Sequence, residues 1–504
     1  MQTPLWTALQ DSRTSEPQQP SNIYDKLTLL AATLLAAFYF ATSIYIASHR
    51  LFWFDEFFTV RIAQLPGWTM IWAALSHAAD SLPPFYYMLV RAFGLFGRSE
   101  VIARLPSALA MVAGLLLTFD SARRLTDGLH GLIALAVLTC SFLPYYGYEA
   151  RSYALYFMFA ALGLWVWTRA ASNLRAAIFF GAALLLGVTM HYYAVMCLVP
   201  YALWEVSRGR RLSAKLVGGV IGVAVPAALL SPLIVSFSRK FSSGFWNRPS
   251  LAELRAIFPQ LFPDALLLLV LIAVWIVLSS VDEKDNVVQP MEEGEAIGWL
   301  FLTIPLLGFV LAELGTNAFF SRYFICVLPG VAVAFACLLW RNFRKNQRVA
   351  LGIFLLLAGW GMWKQITVVQ HPETVEATGI REFLSLEAAL RAEGKHYMVF
   401  SPPLVFSEAQ YYSSHPNDCI LLLPPDFEQQ TALQPSPDPY LHQRLLLNLS
   451  QFYPMQFWRL YNLQAYASEV ALIEPSQDVL DALQRSGLRV QVRFSAPLRV
   501  VYLR

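Results

Sequence analysis

Residues 27–58 read LTLLAATLLAAFYFATSIYIASHRLFWFDEFF, a long apolar stretch that ends next to an acidic pair. The run 27–48 carries no charge, and because a helix needs about 20 apolar residues to cross a bilayer, it predicts a first transmembrane helix. Asp55 and Glu56 lie just beyond this run among aromatic residues. Carboxylates at a membrane boundary are costly to desolvate and are therefore functional candidates. The alternative is that both side chains simply reach into water, and position alone does not choose between the two.

The composition of the whole chain also indicates a membrane protein. Of its 504 residues, 57% are hydrophobic and 14% are charged, and the charged share is about half that of a soluble globular protein. This excludes an ordinary cytosolic enzyme. The net charge of +3 does not indicate the strongly basic surface that binds nucleic acid. The five cysteines show neither a disulfide framework nor a CxxC zinc spacing.

Ten further apolar runs follow the first one, and together they predict a mainly α, polytopic protein with about eleven transmembrane helices. Bounded by their flanking charges, the runs are 101–119, 131–148, 152–168, 176–190, 192–204, 216–238, 265–281, 296–312, 323–340 and 349–363. The stretch 176–204 is either two short helices or one long helix interrupted by His191. Two helices and a cytoplasmic N-terminus place all the large basic clusters on the cytoplasmic side, as the positive-inside rule requires, whereas one helix would put the last two clusters outside.

This topology places four polar segments on the outer face: 49–100, 148–151, 239–264 and 313–322. The segment 49–100 interleaves Phe and Trp with charge, which predicts interfacial amphipathic helices. At the other end of the first span, residues 1–26 are polar and lack a signal-peptide pattern, so we expect a disordered cytoplasmic tail. The transmembrane domain is then predicted to cover residues 27–369.

The remaining residues, 370–504, have a different character. Short β-rich runs alternate with helical patterns, and these runs are 396–401, 419–424, 469–475, 488–494 and 499–504. Ser476 is a plausible helix N-cap and Gly487 a plausible helix stop. We therefore expect a small soluble α/β domain, and an odd number of crossings places it on the extracytoplasmic side.

Several polar residues in the outer segments are candidates for chemistry, although each has an ordinary structural explanation. His77 and Asp80 could serve as helix caps, and Glu149 and Arg151 could be a solvated pair at a turn. Arg322 could be an interface anchor. The HYY sequence at 191–193 could belong to an aromatic belt, and Arg98, Glu100 and Arg104 could form a local surface ion network of little energetic weight.

A functional site is favoured because these residues converge on one membrane face. The residues that the topology brings together are Asp55, Asp80, Glu149, Arg151, His191 and Arg322. The chain contains no GxxxxGK[ST] loop, no GxGxxG fingerprint and no HExxH pair. The chemistry at this face is therefore not expected to be powered by bound ATP.

At these positions the sequence resembles the GT-C class of integral-membrane glycosyltransferases, in the branch related to protein O-mannosyltransferases and lipid A aminoarabinose transferases. The resemblance covers about residues 27–345. It is carried by FDE at 54–56, H-x-x-D-x-x-PPFYY at 77–87, R-x-FG-x-FG-x-SE at 91–100 with the RLPSAL continuation, YEARSYAL at 148–155, MHYY at 190–193 and SRYFICVLPG at 321–330.

The resemblance implies that a sugar passes from a polyprenyl-phosphate donor to an extracytoplasmic acceptor, which is a glycan, a lipid or a protein. It implies that Asp55 is the catalytic acid of the first outer loop, that Glu149 takes the place of the second acid, and that Arg151 and Arg322 lie near the donor phosphate. The further residues that we expect at the donor or acceptor are Glu56, His77, Asp80, His191, Tyr192 and Tyr323.

The residue types suit this reaction. Attack on an anomeric carbon needs a base for the acceptor proton, and a carboxylate in a poorly solvated cleft can gain basicity. A lipid phosphate leaves without a proton donor if cations stabilise it, so we expect a single displacement with inversion. No obligatory cofactor or metal is expected, because the chain has no tight His/Asp cluster, although a divalent ion is compatible with this chemistry.

Two alternatives belong to other classes of protein. A membrane transporter or lipid flippase would usually carry ionisable groups near the bilayer midplane or two related halves, and the apolar runs show neither. A non-catalytic scaffold would have no acidic cleft at the outer face. In every case the predicted location is a multi-pass protein of the plasma or inner membrane, surrounded by lipid.

Overall fold

The computed structural model of the protein describes residues 22–169, 172–209, 212–241, 248–281, 291–344, 346–375, 379–433, 438–494 and 498–503. Up to residue 370 these residues are helical. The helices of this region are α1 (Asn22–His49), α2 (Phe54–Gln64), α3 (Gly67–Ser76), α4 (Pro84–Phe93), α5 (Glu100–Leu125), α6 (Gly128–Thr139), α7 (Leu143–Gly147), α8 (Tyr153–Arg169), α9 (Leu174–Met190), α10 (Val199–Ser207), α11 (Ala214–Phe241), α12 (Leu251–Leu261), α13 (Leu266–Val281), α14 (Glu293–Leu300), α15 (Ile304–Leu311), α16 (Leu328–Phe343) and α17 (Gln347–Gln370).

Each of the eleven predicted apolar runs coincides with one or more of these helices. Among the described residues, six helices are long and apolar enough to cross a membrane, and α12 with α13, bent by 83°, forms a seventh if the pair is one span. The mainly α membrane fold is therefore confirmed, whereas the count of about eleven crossings is not. The first helix begins at Asn22 rather than at Leu27, and the rest of the predicted tail, residues 1–21, lies outside the described residues.

The stretch 176–204 is broken at His191. Helix α9 ends at Met190, His191 is extended with φ −153° and ψ 128°, and a 3-10 segment Tyr192–Leu198 leads into α10. The two-helix interpretation of this stretch is therefore confirmed. The break matters for function because it lifts one histidine and two tyrosines out of regular helix.

Small residues allow helices α9 and α11 to pack with their backbones in contact. A Cβ atom added at Gly181 would clash with the carbonyl oxygen of Gly218, and one added at Gly222 would clash with the carbonyl oxygen of Gly181. Close approach at glycines is typical of helix pairs in membranes, where van der Waals packing drives association.

The segment 49–100 forms the three short helices α2, α3 and α4. The first two are separated by Pro66, the N-cap of α3. Pro83 is extended, and Pro84 begins α4, as expected because proline suits the first turn of a helix. These turns place the start of α2, which carries Asp55, beside the loop before α4.

From residue 380 onwards, helices alternate with strands. The strands are β1 (Tyr397–Phe400), β2 (Cys419–Leu422), β3 (Gln456–Trp458), β4 (Val470–Ile473), β5 (Val490–Phe494) and β6 (Val500–Leu503), and the helices are α18 (Ile380–Ala392), α19 (Pro403–Tyr412), α20 (Phe427–Leu433), α21 (Leu441–Ser450), α22 (Leu460–Ala465) and α23 (Gln477–Arg485).

The six strands form one sheet in the order β3-β2-β1-β4-β6-β5, parallel from β3 to β4 and antiparallel at β6 and β5. The five predicted strands are all present, whereas β3 was missed because it is a short edge strand without a buried residue. Ser476 caps α23 by accepting a hydrogen bond from the Val479 amide, and Gly487 follows the helix with φ 85°. Both helix-boundary predictions are thus confirmed.

The two faces of the sheet have different partners. Alternate residues such as Val399 and Ile420 pack under α23 in a small separate core, whereas Phe400 and Leu421 belong to the large core that continues into the helical region. The C-terminal region is therefore packed against the helical region, over the segment that carries Asp55.

Candidate active site

Asp55 lies in the first turn of α2 and is paired with a cation from a distant segment. The Nη1 atom of Arg322 donates a hydrogen bond to Oδ2 of Asp55 at 3.0 Å, and the two side chains are 23% and 19% exposed. Arg322 comes from the 3-10 segment Ser321–Val327, where its guanidinium lies 4.7 Å from the ring centre of Phe320. The structure thus places Arg322 at the carboxylate, and not as an isolated interface anchor.

A second acid and cation lie next to this pair. The Nη1 atom of Arg151 donates to Oδ2 of Asp80 at 2.6 Å, to the backbone oxygen of Asp55 at 3.2 Å and to the Thr59 hydroxyl at 3.2 Å. Arg151 is only 4% exposed. The alternative of a solvated Glu149–Arg151 pair does not hold, because Arg151 is buried and joins Asp80 to the helix of Asp55.

Glu149 is almost completely buried, and neither oxygen of its carboxyl accepts a hydrogen bond from any described residue. Burial raises the pKa of this carboxyl to about 8. The negative charges of Glu56 and Asp55 act in the same direction, whereas the positive charges of Arg50 and Arg322 oppose it. Glu149 is therefore mainly protonated at neutral pH.

Glu56 is adjacent to Asp55 in the sequence but points into the protein. Its carboxylate, with no exposed surface, accepts two hydrogen bonds from Arg104 at 2.7 Å, one from Arg50 at 3.0 Å and one from the Ala150 amide at 2.6 Å. Burial alone would raise the pKa, but Arg104 and Arg50 outweigh it and lower the pKa of Glu56 to about 2. Its surroundings favour a role in positioning α2 and the turn at Ala150, and not the substrate contact that we expected.

The aromatic residues at the helix break line an open cleft next to Asp80. The cleft has a volume of about 630 Å³ including its mouth, and its wall contains Ser81, Leu82, His191, Tyr192, Tyr193, Ile234, Phe237, Ser238, Ala318 and Tyr323. The imidazole of His191 is stacked on Tyr156 at 4.9 Å and lies 5.0 Å from Tyr323. Burial lowers the pKa of His191 to about 3, so this ring is neutral and behaves as an aromatic wall.

His77 is the expected site residue that the fold does not bring to the others. Its side chain is exposed at the end of α3, Nδ1 donates to the Ala73 carbonyl at 2.8 Å, and the ring packs 5.3 Å from Phe452. This agrees with the ordinary explanation of His77 as a helix-capping residue.

The alternative of a surface ion network among Arg98, Glu100 and Arg104 does not hold either. Arg104 is fully buried on Glu56, whereas Glu100 accepts a hydrogen bond from the Tyr412 hydroxyl at 2.9 Å.

Sequence reasoning missed Thr59, which the helical period could have indicated because it stands one turn after Asp55. Sequence reasoning also missed His442, whose ring contacts that of Phe54. No local sequence pattern connects His442 with Phe54, because the two are almost 400 residues apart.

Within the described ranges, no group of three or more His, Cys, Asp or Glu side chains is placed to hold a metal ion. The candidate cluster instead pairs each of Asp55 and Asp80 with an arginine. The expectation that no metal is obligatory stays a prediction.

Two solved structures of ArnT from Cupriavidus metallidurans have a similar fold. ArnT from Cupriavidus metallidurans bound to undecaprenyl phosphate aligns with a TM-score of 0.61 at 12% identity, over 96% of this chain and 98% of that one. The apo state of the same protein aligns with a TM-score of 0.60 at 12% identity, over 95% and 97%. The chain has the fold of a GT-C glycosyltransferase.

A family comparison supports this GT-C assignment. Residues 76–235 match the family model described as dolichyl-phosphate-mannose-protein mannosyltransferase. No curated protein matches the chain. The resemblance seen in the motifs is thus confirmed, the apolar helices indicate an integral membrane protein, and nothing favours the transporter or flippase alternative.

Proposed function

We propose that this GT-C protein transfers a sugar from a polyprenyl-phosphate donor to an acceptor on the extracytoplasmic side of the membrane, with inversion at the anomeric carbon. The family model that matches residues 76–235 describes enzymes with a lipid-phosphate donor. ArnT, which has a similar fold, was solved bound to undecaprenyl phosphate. Both relatives use a lipid phosphate, so a donor of this class fits the chain.

The observation that carries the proposal is the pairing of two carboxylates with two arginines beside a mainly apolar cleft. The pairs are Asp55 with Arg322 and Asp80 with Arg151, and the Arg151 guanidinium touches the backbone of Asp55. A phosphate can bind the arginines because guanidinium groups match its geometry. The cleft beside them offers apolar and aromatic walls to an isoprenoid chain or a sugar.

In this mechanism Asp55 is the general base. The phosphate of the donor competes for Arg322, which leaves the carboxylate of Asp55 free to take the proton of the acceptor hydroxyl. The acceptor oxygen forms a bond to the anomeric carbon, while the bond from that carbon to the phosphate oxygen breaks and its electron pair stays on the phosphate. Arg322 and Arg151 stabilise this leaving charge in place of a proton donor.

Glu149 has a different role from Asp55 because it is protonated at neutral pH. An ionised carboxylate at this position would repel the donor phosphate, whereas the neutral acid does not and can donate a hydrogen bond. His191, Tyr192 and Tyr323 are proposed to hold the sugar or the first isoprenoid units, since all three line the cleft. No cofactor is required by this scheme.

We also propose the orientation indicated by charge, with the N-terminus cytoplasmic, the catalytic domain at 27–369 and the domain at 370–504 outside. Cys419 cannot report on this in the folded protein because it is buried in β2. Asn417 is exposed, so Asn417→Cys is a suitable reporter. A membrane-impermeant maleimide should label this cysteine in intact cells, and labelling only after permeabilisation would contradict the orientation.

The donor is tested with purified protein in liposomes. We expect the release of free undecaprenyl phosphate from an undecaprenyl-phosphate-linked sugar when an envelope extract supplies the acceptor. Mass spectrometry of the purified protein should also detect a bound polyprenyl phosphate. Transfer from a UDP- or GDP-sugar without any lipid carrier would overturn the proposal.

A further inference from the structure

Helix α21 of the C-terminal region crosses both segments that carry the paired acids. At its start, the ring of His442 lies 4.7 Å from the ring of Phe54, at an angle of 68°, and Phe54 is the residue before Asp55. At its end, the side-chain amide of Asn448 donates to the Ala78 carbonyl at 3.2 Å, two residues before Asp80. The helix therefore covers the acids from the side of the C-terminal domain.

A buried arginine of α2 fixes this arrangement. The guanidinium of Arg61 lies between the rings of Tyr411 and Tyr453, at 4.6 and 4.2 Å, and donates to the Gln410 side-chain oxygen at 2.7 Å. Arg61 is buried. A desolvated cation held by two rings and a hydrogen bond is a specific contact, so the position of the C-terminal domain relative to α2 is well defined.

This packing brings the titratable residue His442 against Phe54, within reach of the charge of Asp55. Its side chain is half-buried, and no described residue forms a hydrogen bond with its imidazole. Burial lowers the pKa of His442, and the negative charges of Asp55 and Asp438 oppose the shift. The lowered pKa favours the neutral imidazole, which offers one donor and one acceptor nitrogen to a ligand.

The two sides of Asp55 are not equivalent. Arg322 and the cleft with His191 and Tyr323 lie toward the helical region, where a lipid donor would bind. The acceptor must present its hydroxyl to the same carboxylate from another direction, because a displacement with inversion requires the nucleophile opposite the leaving group. We therefore place the acceptor toward the C-terminal domain, whose His442 packs on Phe54, the residue before Asp55.

We infer that His442 is an acceptor-binding residue, contributed by the C-terminal domain, that contacts a polar group of a hydroxyl-bearing acceptor next to the attacking oxygen. This inference rests on the proposed function, since it assumes that Asp55 is the base. It assigns to the C-terminal domain a part in acceptor recognition, through one side chain placed beside the reacting group.

The test compares His442→Ala with His442→Gln in liposomes that contain undecaprenyl-phosphate-linked sugar and increasing amounts of envelope extract. His442→Ala should raise the half-saturating amount of extract about tenfold, the effect of losing about one hydrogen bond in a buried site. The half-saturating donor concentration should not change. His442→Gln keeps a side chain that donates and accepts and should recover most of the loss.

His396→Ala is the matched control and should leave the half-saturating amount of extract unchanged, because His396 is an exposed histidine of the same domain that lies just before β1. Thermal melting checks that all three variants fold. An unchanged half-saturating amount of extract in His442→Ala, or equal losses for acceptor and donor that glutamine does not relieve, would overturn the inference. If the wild type itself releases no undecaprenyl phosphate, the proposed function fails and the inference fails with it.

Discussion

Asp55 and Glu56 are neighbours in one motif, yet their carboxylates lie in two regions with opposite properties. Glu56 has no exposed surface and is saturated by Arg50, Arg104 and backbone amides. Asp55 is 19% exposed, and among the described residues its one side-chain partner is Arg322, which is itself partly exposed. The difference shows that the first acid can exchange its partner for a ligand, whereas the second cannot.

The buried region has a structural purpose that its contacts explain. Arg104 also donates to the carbonyl oxygens of Ala47, Arg50 and Leu51, and Glu56 accepts from Ala150. One ion cluster thus ties the end of α1 to α2, α5 and the turn before α8. Breaking such a cluster leaves charges buried without partners. The intact cluster therefore holds α2 in the position on which Asp55 depends.

The largest expected effect is the loss of turnover in Asp55→Asn. Asparagine keeps the size of the side chain but removes the basic oxygen, so turnover should fall by about 10² to 10⁴, the usual contribution of a general base. Binding of undecaprenyl phosphate should survive. The release of undecaprenyl phosphate in liposomes measures turnover. Near-normal turnover in Asp55→Asn together with inactive Glu149→Gln would exchange the roles of the two acids.

The same type of change at the neighbouring residue should destabilise the fold. Glu56→Gln removes the charge that Arg50 and Arg104 share, and breaking a buried ion cluster costs about 3–5 kcal/mol. The loss of thermal stability in detergent measures this effect. The matched control is Glu428→Gln, which breaks the exposed pair with Arg459 and should cost less than about 1 kcal/mol. Equal melting of both variants would remove the distinction between the regions.

Arg322→Ala should weaken donor binding and also lower turnover. A cation that contacts the donor phosphate acts in the ground state and in the transition state, so we expect weaker binding of undecaprenyl phosphate as well as a fall in turnover of about 10² to 10³. Equilibrium binding and turnover are measured on the same preparation. A variant that loses turnover but binds the lipid normally would show that Arg322 serves only to position Asp55.

The smallest expected effect is a pH dependence of stability. Raising the pH lowers the contribution of Glu149 to stability and increases that of Glu56. The pKa of Glu149 is raised to about 8, so the folded state binds its proton more tightly than the unfolded state, and stability should fall by about 1.4 kcal/mol per pH unit as the pH rises toward 8. The pKa of Glu56 is lowered from 4.5 to about 2, so its contribution to stability is present above pH 4.5 and is lost as the pH falls from 4.5 to about 2.

Melting curves of the wild type and of Glu149→Gln between pH 6 and pH 9 measure the first of these effects. Relative to the variant, the wild type should lose stability up to about pH 8 and then level off, because glutamine does not titrate. Parallel curves for the two proteins would mean that Glu149 is ionised in the folded state.

The sequence by itself determined the elements of this protein and the face on which its polar residues gather. Apolar runs, the charges between them and the break at His191 are local patterns, and they predicted the helices of the first region and five of the six strands. The edge strand β3 escaped because three residues without burial carry no periodic signal. The charge-derived topology predicted that Asp55 and Arg322 lie at one face, but no local rule predicted their direct ion pair.

Only the tertiary structure decided which partner each acid received. Asp55 meets Arg322 and Glu56 meets Arg104 through packing of segments that are far apart in the chain, and helix phase sends two adjacent side chains in different directions. Glu149 stays without a hydrogen-bond partner among the described residues, although its sequence neighbour Arg151 could have supplied one. The docking of α21 over α2, which brings His442 to Asp55, likewise depends on the buried cation Arg61. Burial and ion pairing arise from contacts between distant segments, and these contacts exist only once the chain has folded.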